Sequence, residues 1–282
     1  NNNLTTNFIS RSDLVWIIAP WVWKKIPKKY LSKKKVICTY HHLDLKNFDE
    51  NKQYDFDELN HYVDEYHSVS QATKLQLQKF TNKKITTIPF WINQNLFFHI
   101  KDKSNLKIEL GFNVDDYLIG SFQRDTEGKD LISPKLIKGP DIFLRIVKDL
   151  YRKNNKIKVV LTGKRRQYII SNLEKLNIPY VYFEMVDFKF LNKLYNALDL
   201  YIVSSRVEGG PQAILESAIT KTPIISTNVG IAPDILHKSS IYDENGEIGI
   251  PNIDFAFNNS KNFIIPKGFL EFRKLLDDIY KN

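Results

Sequence analysis

Ser204-Ser205-Arg206-Val207-Glu208-Gly209-Gly210-Pro211-Gln212-Ala213-Ile214-Leu215-Glu216 is the stretch that decides the fold. The apolar run 198–203 ahead of it reads as a buried strand. Gly209-Gly210 predicts a tight turn that side chains would obstruct. Pro211 suits the first position of a helix, where its missing N–H costs nothing. Strand, glycine turn and helix together put free backbone N–H groups and a positive dipole end at the mouth of a sheet, which favours an anion such as phosphate. Gln212 and Glu216 are four apart and share a helix face, and Glu208 precedes the turn. An ionised carboxylate only accepts hydrogen bonds and can take two neighbouring hydroxyls. The stretch therefore predicts a site for a ligand with a phosphate and several hydroxyls. Taken alone, an ordinary strand-to-helix turn with exposed acids fits it equally.

Working outward, strands alternate with helices. A strand at 117–120 runs into Gly120-Ser121-Phe122-Gln123-Arg124, then a loop at 125–137. Lys138-Gly139-Pro140 leads into a helix whose Ile142, Phe143, Ile146, Val147 and Leu150 keep a 3.6-residue period. Strands follow at 157–161, 180–183 and 223–226, with helices near 165–177, 189–197 and 233–236. Residues 243–266 read as irregular, and Phe269, Phe272, Leu275, Leu276 and Ile279 mark a last amphipathic helix. This alternation predicts a parallel, doubly wound α/β sheet.

The first hundred residues repeat the theme. Strands are expected at 13–19, 36–40, 66–70 and 84–88, with a helix at 71–80 and a linker at 92–105. The strand at 36–40 delivers His41-His42 at its carboxyl end, where open α/β sheets bind ligands. His61 and His67 read as surface residues. Asp55-Phe56-Asp57 reads as helix-start chemistry, with a divalent-metal role as the lesser alternative.

A chain of 282 residues can bury two cores. No apolar run approaches the ~20 residues that span a bilayer. One cysteine, Cys38, excludes an internal disulfide framework and a cysteine-rich zinc site, and points to a reducing, cytoplasmic setting. The net charge of +9 predicts anionic partners. Seven lysines fall within 24–35, just after Trp21 and Trp23, so 21–35 suggests peripheral membrane contact, against a solvated surface as the plainer reading. The lysines follow no nucleic-acid motif, and none is expected as a partner. Gly-x-Gly-x-x-Gly, P-loop and Gly-x-Ser-x-Gly motifs are absent. The only methionine is Met185, so the chain as given is expected to lack its initiator.

The span 204–236, with its Thr222-Pro223-Ile224-Ile225-Ser226-Thr227-Asn228-Val229-Gly230 continuation, resembles the donor-binding signature of glycosyltransferase family 4. Glu208 and Glu216, seven residues between them, match that family's paired glutamates, and Arg124 with Lys138-Gly139 resembles its Arg and Lys pair at the donor diphosphate. The resemblance implies a GT-B fold: two Rossmann-like domains with parallel sheets facing across a cleft. It implies an amino-terminal acceptor-side domain at 1–105, incomplete because the family's glycine-rich loop is missing. A nucleotide-sugar-binding domain at 106–265 and a terminal helix at 266–282 packing back on the first domain would follow. The implied activity is a retaining, metal-independent transfer of a sugar from a UDP- or GDP-linked donor to an acceptor hydroxyl, with no cofactor. By that resemblance Gly120, Ser121, Arg124, Lys138, Glu208, Gly209, Gly210, Pro211, Gln212 and Glu216 bind the donor. His41, Glu208, Arg124 and Lys138 are catalytic, with His42 as the fallback for His41. Thirteen residues separate Arg124 from Lys138, so Lys129 or Lys135 could replace Lys138. A nucleotide-sugar epimerase on the same fold and a non-catalytic sugar- or membrane-binding relative are the competing functions.

Overall fold

The computed structural model describes Thr6 and residues 8–281. The described residues fall into two compact units, one made of Asn1–Phe90 with Pro266–Asn282 and the other of Trp91–Ile265. The first runs β1 (Leu14–Ile17), α1 (Lys28–Leu31), β2 (Lys35–Tyr40), α2 (Glu50–Tyr62), β3 (Glu65–Ser68), α3 (Gln71–Leu77) and β4 (Ile85–Thr87). The second runs α4 (Lys103–Glu109), β5 (Tyr117–Ser121), α5 (Pro140–Lys153), β6 (Ile157–Thr162), α6 (Gln167–Lys175), β7 (Tyr180–Phe183), α7 (Phe188–Ala197), β8 (Leu200–Val203), α8 (Gln212–Ile219), β9 (Ile224–Thr227), α9 (Ala232–Ile235), β10 (Ile241–Tyr242) and α10 (Ile253–Ser260). The chain then returns to the first unit as α11 (Lys267–Lys281). Among the described residues no helix is long and apolar enough to cross a membrane.

Two sheets result, ordered β1-β2-β3-β4 and β10-β9-β8-β5-β6-β7. Every named strand pair is parallel, as the alternating pattern predicted. Parallel strands are covered on both faces, which is why runs such as Leu200–Val203 are apolar throughout. Successive side chains take opposite faces of the second sheet. Leu118, Val160 and Tyr201 enter one core with α7 and α8, while Ile119, Val159 and Ile202 enter the other with α5 and α6.

Several local expectations are corrected. Residues 92–105 are not a linker. Ile92 and Phe97 are buried in the second unit's core, and α4 begins at Lys103 after Asp102 caps it. The irregular segment 243–266 contains α10, capped by Asn252 and packed on α8. Its Ile253, Ala256 and Phe257 have helical spacing, but Asn258-Asn259-Ser260 are poor helix formers and hid it. The helix expected to start at Asp55 starts at Glu50, with Asp49 accepting from the Lys52 N–H at 2.9 Å, and Asp55 pairs with Lys24 instead. Trp23 is buried against Tyr62, whereas Trp21 is 69% exposed, so the two tryptophans of the basic segment face different surroundings.

His67 is not a surface residue but 1% exposed. The Trp16 indole N–H donates to Thr39 Oγ1 at 2.8 Å, so the Thr39 hydroxyl donates to His67 Nδ1 at 2.9 Å. His67 Nε2–H donates to the Ile88 carbonyl at 2.8 Å, and Phe272 of α11 lies edge-on with centroids 5.1 Å apart. Burial pushes the imidazole down to about 4 from 6.5. The unfolded chain therefore takes up a proton that the fold refuses, and stability is full above the unfolded value and falls as pH drops from 6.5 toward 4. Between pH ~7 and ~5 the loss attributable to His67 is about 2 kcal/mol. Urea midpoints at both pH values check it: His67→Gln should flatten the dependence, and an equal slope in that variant contradicts the assignment.

Candidate functional site

The quoted stretch leaves β8 and runs beside a 3₁₀ turn, Leu136–Lys138. The Arg206 and Val207 N–H groups both donate to the Ile137 carbonyl, at 2.8 and 3.2 Å. Arg206 then locks the register. Its guanidinium takes Asp141 at the start of α5 with two bonds of 2.9 and 2.7 Å, and Glu244 with a third of 2.7 Å. Such a planar fork matches a carboxylate geometrically, and the Asp141 bond holds the guanidinium above its ordinary value. With the register fixed, Lys138 Nζ pairs with Glu208 Oε1. Gln123 closes the group: its Nε2 donates to the Lys138 carbonyl at 2.9 Å and its Oε1 accepts from Ser205 at 3.1 Å.

Two glycines make this packing possible. Gly139 is left-handed (φ +60°), and a Cβ there would lie 1.8 Å from the Ser204 carbonyl oxygen. Gly230 is left-handed (φ +52°), and its Cβ would lie 2.0 Å from the Gly209 carbonyl oxygen. Gly209 and Gly210 are not among the glycines with positive φ. The backbone freedom is spent by the partners that press against the stretch. Pro211 stands one residue ahead of α8, as its N-cap, rather than as the first helical residue.

A cavity of about 460 Å³ opens at the carboxyl ends of β5, β6 and β8. Glu208, Pro211, Gln212 and Glu216 line it together with Gln123 and Gly163. Its base is aromatic, with Phe122, Tyr195 and Tyr201 centroids 4.9–5.4 Å apart. The Tyr195 hydroxyl donates to Glu216 Oε2 at 2.6 Å. Burial raises the Glu216 carboxyl above its ordinary value, and the Tyr195 bond works the other way. The Ile214 N–H donates to the Pro211 carbonyl at 3.0 Å, and the N–H groups of Gln212 and Ala213 ahead of it have no intrahelical acceptor and can meet an anion.

Arg124 is exposed in the loop after β5. That loop is held from beneath by a fully buried pair, Arg166 Nε with Asp125 Oδ2 at 2.6 Å. Arg166 also donates to the carbonyls of Ser121 and Thr162, and Asp125 accepts from the Thr126 hydroxyl at 2.7 Å. Sequence reasoning missed this pair. The only signal is Asp125 beside Arg124 and Arg166 in a Lys164-Arg165-Arg166 run, where nothing marks one arginine as buried. Gly120 and Ser121 are buried in β5 and do not line the cavity: a Cβ on Gly120 would meet Leu198 at 2.2 Å, and Ser121 serves Arg166. His41 belongs to the first unit. There its Nε2–H donates to the Ile18 carbonyl at 3.0 Å, and its ring lies between Trp21 and Phe90, at 5.7 and 5.6 Å. Among the described residues no cluster of three or more His, Cys, Asp or Glu side chains is placed to hold a metal ion.

Residues 132–266 match a family model described as "Glycosyl transferases group 1". No curated protein matches the chain in sequence. Among solved structures, sucrose-phosphate synthase from Thermosynechococcus elongatus aligns with a TM-score of 0.75 at 15% identity, covering 95% of this chain and 74% of that one. HepE from Anabaena, in complex with UDP, gives 0.70 at 15% identity, covering 94% and 79%. The pneumococcal O-GlcNAc transferase GtfA, in complex with UDP and GlcNAc, gives 0.67 at 14% identity, covering 95% and 57%. At these identities the likeness establishes the fold, which is the α/β GT-B type with two parallel sheets.

Proposed function

We propose that the chain is a retaining glycosyltransferase that moves a sugar from a UDP-linked donor to an acceptor hydroxyl without a metal ion. The observation that carries this reading is the cavity of the second unit, which both glutamates of the quoted stretch line. The group 1 match over 132–266 and the UDP complexes of HepE and GtfA support the donor class.

Each role follows from what the side chain can do. Breaking the bond between the sugar C1 and the phosphate oxygen leaves negative charge on the diphosphate. Arg124, Lys138 and the N–H groups at the start of α8 neutralise it. Glu208 accepts hydrogen bonds from donor-sugar hydroxyls while staying tied to Lys138, so it couples sugar position to the diphosphate cation. Glu216, fixed by Tyr195, accepts from the ribose hydroxyls. The aromatic base excludes water from one side of the cavity, which strengthens these charge interactions.

Incubation with UDP- and GDP-linked sugars tests the proposal. Nucleoside diphosphate should be released with the unmutated chain, and Arg124→Ala should reduce release roughly 100-fold or more. Equal turnover in that variant would sink the assignment, and an epimerised nucleotide sugar in place of release would move the chain to the epimerase reading.

A further inference from the structure

The two glutamates that line the cavity are held differently. Glu208 Oε1 pairs with the Lys138 ammonium and accepts from the Ser205 hydroxyl at 3.4 Å. Glu216 has no ion-pair partner among the described residues. Its Oε2 accepts from the Tyr195 hydroxyl at 2.6 Å, and its Oε1 accepts from no group among them. Ser217 Oγ is the one buried side-chain nitrogen or oxygen left unpaired among the described residues. Glu216 Oε1 is therefore not buried but open, on a residue that lines the cavity. A carboxylate without a cation repels phosphate and attracts neutral O–H donors.

The phenol that takes Oε2 is itself fixed. Tyr195 is 1% exposed, and its ring meets Phe122, Tyr201 and Phe97 with centroids 4.9, 5.4 and 6.1 Å away. Its carbonyl accepts from the Thr222 hydroxyl at 2.7 Å, just past the end of α8. The helix that carries it, α7, is anchored as well: Asn192 and Asn196 accept from the Phe98 and Ile100 N–H groups at 3.0 and 2.7 Å. Ring, backbone and helix thus hold the hydroxyl on Glu216. Burial works against the ionised Glu216 carboxyl, and the bond from Tyr195 works for it.

Resting on the donor reading above, we infer that Tyr195 is a positioning residue that sets nucleotide specificity. By holding Glu216 Oε2 it presents Oε1 to the ribose, so the site takes a ribonucleoside diphosphate and refuses one without the ribose hydroxyls. A ligand lacking them leaves the open oxygen of a half-buried carboxylate without a donor. Such a loss is how polar sites discriminate most strongly. A ligand made of phosphate alone has no hydroxyl for the pair and is indifferent to it.

Titration calorimetry with UDP, 2′,3′-dideoxy-UDP and inorganic pyrophosphate tests this. The unmutated chain should bind UDP roughly 10- to 100-fold more tightly than dideoxy-UDP, the range of a hydrogen bond to a charged group. Tyr195→Phe keeps the ring and removes the hydroxyl. It should bring that ratio to within a few-fold by weakening UDP, with dideoxy-UDP and pyrophosphate bound as before. In a Glu216→Gln background Tyr195→Phe should weaken UDP little further, because the phenol acts through the carboxylate. A Tyr195→Phe variant that keeps the unmutated ratio, or that loses all three ligands equally, would overturn the inference and leave the donor reading standing. Equal binding of UDP and dideoxy-UDP by the unmutated chain would do the same. If the unmutated chain bound neither UDP nor pyrophosphate, the donor reading would fall and the inference with it.

Discussion

Glu208→Ala should lower donor turnover by about 10²–10³-fold, equivalent to about 2.7–4 kcal/mol of lost transition-state stabilisation. It should not weaken binding of the nucleoside diphosphate. The reason lies in the pairing of Glu208 with Lys138. Removing the carboxylate frees the Lys138 ammonium, which makes the site more attractive to phosphate. Turnover and affinity should therefore move in opposite directions. A purely structural role predicts that both fall together. Folding should survive, because the stretch is held by Arg206 to Asp141 and Glu244 and by the two backbone bonds to Ile137. Calorimetry of UDP binding beside steady-state turnover reads the split directly.

Arg166→Met should be the most destabilising single change near the site. Arg166 and Asp125 are 0% and 2% exposed as side chains, and removing one partner leaves a buried carboxylate without its counter-charge. Breaking such a pair costs about 3–5 kcal/mol. At the size of the second unit that corresponds to a melting temperature lowered by roughly 10 °C. The double variant Arg166→Met/Asp125→Leu should recover much of the loss, because an apolar pair of similar volume is often neutral. Melting curves of the single and double variants check both statements, and a single variant as stable as the unmutated chain would contradict the assignment. The pair also fixes the carbonyls of Ser121 and Thr162 at the ends of β5 and β6, so donor binding should weaken in the single variant.

What the sequence reveals and what it hides divides along the range of the interaction. The strand before Ser204, the helix after Pro211 and the spacing of Glu208 and Glu216 are local patterns, and the parallel sheet follows from their repetition. The Lys138–Glu208 pair spans seventy residues, and only the resemblance to a known family put the two near one ligand. The glycines that matter are a third case. Gly209-Gly210 draws attention as a pair, yet left-handed backbone falls on Gly139 and Gly230, each pressed against a carbonyl far away in the chain. His67 was misread for the same reason. It stands among acidic and polar neighbours, and the Thr39, Ile88 and Phe272 groups that bury it come from three other segments.

The measurement that tests the central claim most directly is the product spectrum of donor turnover, followed by nuclear magnetic resonance at the sugar C1. The account predicts release of UDP and a glycoside, or free sugar at early times, with the anomeric configuration of the donor. A UDP-linked donor that stays intact at saturating protein, or a product of inverted configuration, would contradict it.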